Sequence, residues 1–194
     1  MNVALSPTDE LPPHKTFTVE DVLRMVDAGI LRENDNVELI EGELVMMAAK
    51  YIPHERIKLA LMTAFVRAVD DNLYVAVESS LQLSDDTIVE PDLAIVPRSL
   101  FSSTERLAQP KPQDLLLVIE VATSSMAYDR RTKARVYARH GVQEYWVIDA
   151  NERITWVHPA SSADGWSSVV ERSPDETLAT PAVPGFAVRL ADIA

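Results

Sequence analysis

Cysteine is absent from the 194 residues, and so is any excess of positive charge. Without cysteine, neither a disulfide framework nor a thiolate metal site can form. No apolar run approaches the roughly 20 residues that cross a bilayer. The first residues, MNVALSPTDELPPHKTF, also lack the basic-then-apolar pattern of a secretory signal. These absences favour a cytoplasmic protein without a membrane partner.

The charge balance narrows the possible functions. The chain has 18 lysines and arginines against 30 acids, which gives a formal net charge of −12. This charge argues against a protein that coats nucleic acid non-specifically, because phosphate contacts need cationic side chains. It leaves open an enzyme that meets nucleic acid at one local basic patch. A hydrophobic content of 47% is enough for one buried core.

The order of periodic segments predicts an α/β (α+β) fold with a mixed central sheet flanked by helices. Residues 1–16 contain three prolines and are predicted to form a flexible tail, whereas residues 17–194 are predicted to form a single domain. The predicted elements are a helix capped by Thr18 and Asp21, a hairpin around Glu41 and Gly42, a helix from His54 to about Asp70, and strands over Tyr74–Leu83, Ile88–Val96, Glu144–Asp149 and Ile154–His158.

A buried strand that ends in an acid organises the chain. Leu115 to Ile119 leave neither face of the strand polar, and Glu120 follows them. A buried carboxylate without a partner is costly, so a metal ion or a lysine is expected beside it. The next helix, capped near Ser124 and Ser125 and ended by Gly141, carries Lys133 on the same face as Asp129 and Tyr137.

A second acid, Asp92, lies in the predicted strand Ile88–Val96. Two acids on adjacent strands could bind Mg²⁺ or Mn²⁺, with the backbone carbonyl of Val121 as a further ligand. Lys133 could then orient or deprotonate a metal-bound water. Taken singly, each acid could equally be a structural group in an ion pair, and Lys133 could be a solvated residue paired with Asp129.

Several other polar residues are weighed in the same way. A zinc-protease HExxH motif at His54 and Glu55 is excluded because residue 58 is Lys58. His54, Glu55 and Glu78 remain possible additional site residues. The remaining histidines lack partner spacing and are predicted to lie at the surface: His14, His140 and His158. The densest positive patch lies on the helix after Glu120 and offers candidate nucleic-acid contacts at Arg130, Arg131 and Arg135.

The sequence resembles the Uma-type restriction endonucleases, a branch of the PD-(D/E)XK nuclease superfamily. The matching stretches cover roughly residues 17–158, and the set is specific although each motif alone is weak. They are Val37 to Val45 (VELIEGELV), His54, Glu90-Pro91-Asp92-Leu93, Ile119-Glu120-Val121 with Ser124, and Asp129, Lys133, Tyr137, Gly141-Val142, Glu144-Tyr145-Trp146 and Asp149.

The resemblance implies a restriction-endonuclease-like core and metal-dependent hydrolysis of phosphodiester bonds in nucleic acid, with DNA as the expected partner. Asp92 and Glu120 would be the paired acids. The lysine expected two positions after Glu120 is replaced by Ala122, so Lys133 on the following helix would supply the amine. A duplex cutter often needs two sites, which favours a homodimer. Two alternatives stay open: a substrate of RNA, branched or single-stranded DNA, and a catalytically inactive nuclease-fold scaffold.

Overall fold

The computed structural model describes residues 14–32, 35–162 and 165–193, and two β-sheets dominate this part of the chain. The predicted tail lies mostly in residues 1–13, outside the described residues. The helices are α1 (Val19–Asp27), α2 (Ile52–Ala68), α3 (Met126–Tyr128) and α4 (Ala134–Arg139), with a π-helical turn, Asp129–Lys133, between the last two. Short 3₁₀ turns occupy Arg98–Ser102, Pro112–Asp114 and Leu190–Asp192.

Twelve strands are found in the described residues. They are β1 (Val37–Ile40), β2 (Glu43–Met46), β3 (Leu73–Val77), β4 (Leu81–Ser84), β5 (Thr87–Val89), β6 (Leu93–Pro97), β7 (Leu117–Ala122), β8 (Glu144–Asp149), β9 (Thr155–Pro159), β10 (Ser161–Ser162), β11 (Gly165–Trp166) and β12 (Val170–Arg172). A six-stranded sheet has the order β12-β9-β8-β7-β6-β3, and a four-stranded sheet has the order β2-β1-β5-β4. β10 and β11 form a separate pair.

The six-stranded sheet is mixed, as the sequence predicts. β7 and β8 are parallel, and the helical segment from α3 to α4 makes the crossover between them. The other pairings in this sheet are antiparallel. The same crossover carries Lys133 from the strand that contains Glu120 back over the sheet, so the topology itself brings the helix against that strand.

The N-terminal helix and hairpin form for the local reasons expected from the sequence. Asp21 N–H donates to the hydroxyl of Thr18, and Thr18 N–H donates to the carboxylate of Asp21, which completes a capping box at α1. Between β1 and β2, Glu41 and Gly42 both have positive φ, as a two-residue hairpin turn requires. The hairpin joins the four-stranded sheet through β5.

Two apolar clusters cover the two faces of the six-stranded sheet. On one face, Ile57, Leu61 and Phe65 of α2 pack against alternate residues of β6 and β7 together with the C-terminal segment. On the other face, Val136 and Tyr137 of α4 pack against the intervening residues and against the four-stranded sheet. Within the described ranges, no helix has the length and apolar character needed to cross a bilayer.

Two predicted strands are wrong as continuous elements. The strand predicted over Tyr74–Leu83 breaks at Glu78, whose φ is +47°, into β3 and β4. The strand predicted over Ile88–Val96 breaks at Glu90-Pro91-Asp92 into β5 and β6. In both cases the two halves belong to different sheets. Proline contributes no backbone donor, which favours the second break, and the result places Asp92 in a crossing and not inside a strand.

The prediction that His158 lies at the surface is also wrong. His158 is 3% exposed, because β9 lies inside the sheet between β12 and β8. Its Nδ1 lies 3.2 Å from the carbonyl oxygen of Tyr145, and its ring packs beside Tyr145 and Trp166. Ser125 likewise makes no capping bond to the helix backbone, since its hydroxyl donates to Asp129.

Candidate functional site

A cleft of about 320 Å³ lies where the two sheets meet. One wall comes from β1 and from the segment that joins β2 to α2, and the other comes from β7 and the start of the crossover helices. Five of the ten predicted site residues line it, namely His54, Asp92, Glu120, Val121 and Lys133. Its ionisable and hydroxyl lining residues are Glu38, Lys50, His54, Glu90, Asp92, Glu120, Thr123, Ser124, Ser125, Tyr128, Asp129 and Lys133.

Lys133 lies at the centre of a buried cluster of acids. Its Nζ is 2.9 Å from Oε1 of Glu120 and 2.9 Å from Oε2 of Glu38. The hydroxyl of Tyr137 donates to the same Glu120 oxygen at 2.8 Å. All four side chains are buried. The lysine that the sequence places on a helix, and not two residues after the acid, therefore reaches the acid in space.

The π-helical turn explains how Lys133 and Asp129 both point inward. These two residues bound the turn and are 6% and 3% exposed, whereas Arg130 and Arg131 between them are exposed. Insertion of a π turn changes which side chains face the sheet, and such turns are frequent at functional sites. The sequence predicts that Asp129, Lys133 and Tyr137 share one helix face, and all three are buried, although the predicted α-helix contains this π turn.

The electrostatics of the cluster are unbalanced towards negative charge. Burial raises the pKa of Glu120 to about 8; the Lys133 ammonium opposes this rise, and the charges of Asp92, Asp129 and Glu38 add to it. Burial by itself would lower the pKa of Lys133, but Glu120, Glu38 and Asp129 outweigh burial and raise it. Burial also raises the pKa of Asp129, against the effects of Lys133 and Ser125. Acidic side chains thus outnumber the one ammonium, and the raised pKa values of Glu120 and Asp129 reflect the cost of ionising these acids together in a buried site.

Asp92 lies just before β6, and polar groups from three elements hold its carboxylate. Its Oδ2 accepts the N–H of Val121 at 2.8 Å, and Nε2 of His54 lies 3.0 Å from its Oδ1. Lys50 Nζ lies 3.6 Å from the same Oδ1. Burial would raise the pKa of Asp92, but the contacts with His54, Val121 and Lys50 lower it. Asp92 is therefore an ionised carboxylate in a fixed orientation.

Asp92 and Glu120 both line the cleft. Side chains alternate along a strand, and Val118 belongs to the cluster on the α4 face, so Glu120, two residues later in β7, faces the same side. Asp92 lies just before β6, and its carboxylate accepts the N–H of Val121, the residue after Glu120. The two acids therefore come from neighbouring strand ends at one cleft.

The additional candidates are also close to the cleft. His54, at the start of α2, contacts Asp92 through Nε2 and Glu55 through Nδ1 at 3.1 Å. Glu55 accepts from Lys58, and Glu78 accepts from both Lys50 and Lys58. Glu55 and Glu78 are thus engaged in ion pairs at the edge of the site, and neither lines the cleft.

The structure does not bring the predicted arginine patch into the cleft. The guanidinium of Arg130 stacks on the ring of Trp156 at 4.0 Å, and Arg135 pairs with Glu41 at 2.7 Å. Arg131 is exposed. Their role as nucleic-acid contacts stays a prediction.

Sequence reasoning assigned no role to Glu38, Lys50 or Tyr128. The hydroxyl oxygen of Tyr128 is buried and has no hydrogen-bond partner among the described residues, although its side chain lines the cleft. Burial raises the pKa of Tyr128 to about 12, so the hydroxyl stays protonated. Glu38 stands among the apolar residues of Val37–Ile40, which indicates that this acid could be buried. Only the fold shows that β1 faces Lys133.

The carboxylate and carbonyl oxygens of the cleft are the type of ligand that a hard divalent cation prefers. Among the described residues, no group of three or more His, Cys, Asp or Glu side chains is arranged to hold a metal ion. Mg²⁺, however, usually keeps several waters and takes only one or two carboxylates. Asp92 and Glu120 would supply these. In a strand, the C=O and N–H of one residue point to the same side. The Val121 N–H meets Asp92 beyond the last residue of β6 that pairs with β7, so the Val121 carbonyl points to that side as well.

The mixed sheet, its flanking helices and the acidic cleft at the meeting of the two sheets define a protein of the nuclease-like α+β class. Residues 19–191 match the family model Uma2, described as "Putative restriction endonuclease", and the chain belongs to this family. The resemblance inferred from the sequence motifs is thereby confirmed.

A solved structure supports the same fold. It is the crystal structure of a protein from Anabaena variabilis ATCC 29413, described as a "putative nuclease belonging to DUF820". The similarity has a TM-score of 0.71 with 18% sequence identity, and it covers 91% of this chain and 97% of that one. No curated protein matches the chain.

Proposed function

We propose that the protein is a metal-dependent endonuclease that hydrolyses phosphodiester bonds of nucleic acid, with DNA as the substrate. Membership of the Uma2 family supports the nuclease class. The observation that carries the proposal is that two acids and Lys133 line one cleft, with Lys133 Nζ 2.9 Å from Glu120. Asp92, Glu120 and the carbonyl of Val121 would hold Mg²⁺ or Mn²⁺.

The ion, when bound, would lower the pKa of a coordinated water and polarise the phosphoryl oxygens. The chain's own residues do the rest. His54 and the Val121 N–H fix the carboxylate of Asp92, so that its free lone pairs keep one direction. Tyr137 and Lys133 fix Glu120 in the same way.

Lys133 would act on the reacting atoms through its charge. Glu38 and Glu120 hold its ammonium in place, so no reorganisation is needed when negative charge develops on phosphorus. The same ammonium would orient the attacking water by a hydrogen bond. Because the surrounding acids raise its pKa, Lys133 is suited to stabilise charge and not to remove a proton.

Substitution of the paired acids tests this proposal. Asp92→Asn and Glu120→Gln are expected to abolish Mg²⁺-dependent cleavage of a labelled DNA while the circular dichroism spectrum stays that of the parent. Glu144→Gln is the matched control, since Glu144 is also a buried acid but contacts Trp146 and Thr180 outside the cleft. Cleavage by either site variant at the parental rate would overturn the assignment of the site.

The second candidate function is a nuclease-fold scaffold that binds partners without hydrolysis. The contacts of Arg130 with Trp156 and of Arg135 with Glu41 favour it, because two of the three predicted nucleic-acid contacts already have partners within the chain. Thermal unfolding with Mn²⁺ separates the two functions. A ligand at 100 times its dissociation constant stabilises the native state by about 2.7 kcal/mol, so the nuclease should gain thermal stability that Asp92→Asn lacks. No gain at millimolar Mn²⁺ would favour the scaffold.

The homodimer remains part of the proposal. Cleavage of two strands needs two sites, whether the strands are paired or locally open, and a pair of identical chains supplies them. Light scattering coupled to size-exclusion chromatography tests the proposal, and a mass of one chain at working concentration would contradict it.

A further inference from the structure

The segment that joins β2 to α2 forms one wall of the cleft and carries a second lysine. Residues 45–50 line the cleft, and Lys50 Nζ lies 2.6 Å from Glu78 and 3.6 Å from Asp92. The side chain of Lys50 is 28% exposed, whereas that of Lys133 is 7% exposed. Lys50 therefore approaches Asp92 from the open side of the cleft, from which a substrate would enter.

The carboxylates that bind Lys50 do not depend on it. Glu78 also accepts from Lys58, and Asp92 also accepts from Val121 N–H and contacts His54. A buried acid without a partner is costly. If the Lys50 ammonium moved to a phosphate, both acids would keep another partner and this cost would not arise. Lys50 is thus a cation that can change partners when a substrate arrives.

Exposed apolar side chains flank this lysine. Tyr51 is 62% exposed and follows it directly, while Met46 and Ile52 are 72% and 73% exposed. An exposed aromatic ring beside a cation is the combination that binds single strands, because the ring stacks on a base while the cation contacts the backbone. In a duplex the bases are stacked on each other and are not available to such a ring.

Three of the arginines on the helix after Glu120 are engaged within the chain. Arg135 and Arg139 both pair with Glu41, and Arg130 is stacked on Trp156. A protein that docks on duplex DNA commonly neutralises several phosphates with lysine and arginine. In the described part of the chain, the cation that lines the cleft and remains partly open to solvent is Lys50.

We propose that Lys50 and Tyr51 bind an unpaired strand of nucleic acid that enters the cleft, with the Lys50 ammonium on a backbone phosphate in the cleft and the exposed Tyr51 ring, beside the cleft, stacked on a neighbouring base. This proposal rests on the proposed nuclease function and specifies its substrate class. It makes the segment between β2 and α2 the part of the protein that selects single-stranded over double-stranded substrates.

Binding to short labelled oligonucleotides in EDTA tests the proposal without hydrolysis of the strand. The full chain should bind a single strand more tightly than the duplex of the same sequence, and parallel DNA and RNA strands show which sugar is preferred. Tyr51→Ala should weaken single-strand binding about tenfold, whereas Tyr51→Phe should retain it. Lys50→Met should lower the slope of log affinity against log salt by about 0.7, and Lys50→Arg should keep it.

Two controls match these variants. Tyr74→Ala removes an aromatic ring on β3, and Lys111→Met removes a lysine before β7; both residues lie outside the segment between β2 and α2, and both variants should bind as the parent does. Tighter binding of the duplex, parental binding by Tyr51→Ala, or an unchanged salt slope in Lys50→Met would each overturn the proposal. These results need no cleavage, so they are distinct from a failure of the Asp92 and Glu120 variants to lose activity.

Discussion

Lys133 and Glu120 are 13 positions apart in the chain, yet Nζ of the first lies 2.9 Å from Oε1 of the second. The contact exists because the crossover from β7 to β8 folds the π-helical turn back over the sheet. It brings an amine borne on a helix into contact with the acid of β7. Ala122, two residues after Glu120, is 1% exposed and packs in the interior.

Removal of the Lys133 ammonium should destabilise the protein in a way that a divalent cation reverses. Lys133→Met leaves Glu38 and Glu120 buried without their shared partner, and breaking a buried ion pair costs about 3–5 kcal/mol. We expect that loss in the free energy of unfolding, measured with urea, and also loss of cleavage. Saturating Mn²⁺ should recover part of the stability because it neutralises the same carboxylates.

The matched control for Lys133 is Lys58→Met. Lys58 is a buried lysine paired with Glu55 and Glu78, which are not proposed to bind the metal ion. Its stability loss should be the same with and without Mn²⁺. Equal recovery by Mn²⁺ in both variants would contradict the assignment of Lys133 to the metal cluster.

Replacement of the Tyr128 hydroxyl should separate stability from activity. The hydroxyl oxygen is buried without a partner in the described part of the chain, so Tyr128→Phe should leave the free energy of unfolding unchanged or raise it. If the hydroxyl donates to a phosphate oxygen in the cleft, kcat/KM should fall about tenfold or more, as expected for a lost hydrogen bond to a charged group.

Thr155→Val provides the comparison for Tyr128. Its hydroxyl oxygen is also buried without a partner in the described residues, but Thr155 lies on β9 and does not line the cleft. It should keep or gain stability while kcat/KM is unchanged. A parental kcat/KM in Tyr128→Phe would remove this tyrosine from the mechanism.

Gly141 should tolerate no side chain. It has a φ of +75°, and an added Cβ would lie 2.5 Å from Cβ of Pro112. Gly29 has a similar φ of +71° but open space around it. Gly29→Ala should therefore cost about 1 kcal/mol for its backbone conformation alone, and Gly141→Ala should cost clearly more in thermal or urea unfolding. Equal losses would mean that the Pro112 turn moves freely.

Because of His158, the free energy of unfolding should fall in mild acid. Burial lowers the pKa of His158 below 6.5, although its bonds to the carbonyls of Tyr145 and Trp156 oppose this. Below pH 6.5 the unfolded chain then binds more protons than the native chain, so the free energy of unfolding falls as the pH falls towards the native pKa. His158→Gln, which keeps a donor, should show a smaller loss between pH 7.5 and 5.5. An identical loss in the variant and the parent would mean that other groups cause the loss of stability in acid.

The sequence by itself determined the local elements and the identity of the chemical groups. The capping box of Thr18 and Asp21, the Glu41-Gly42 turn and the buried run of β7 each depend on interactions between near neighbours. For the same reason the strand, helix and strand around Glu120 and Lys133 could be predicted, whereas the sequence left open whether Lys133 is solvated or buried. The motif set indicated the family, because it combines several weak signals in a fixed order.

Only the tertiary structure decided which distant groups meet. Three features depend on how the two sheets pack. They are the passage of the chain from one sheet to the other at Glu78 and Asp92, the burial of His158, and the approach of Glu38 and Lys50 to the cleft. No periodicity within a strand records which strand of another sheet will face it. The charge balance of the cleft is therefore a property of the packed molecule, since the burial that raises the pKa of Glu120 exists only when the sheets close around it.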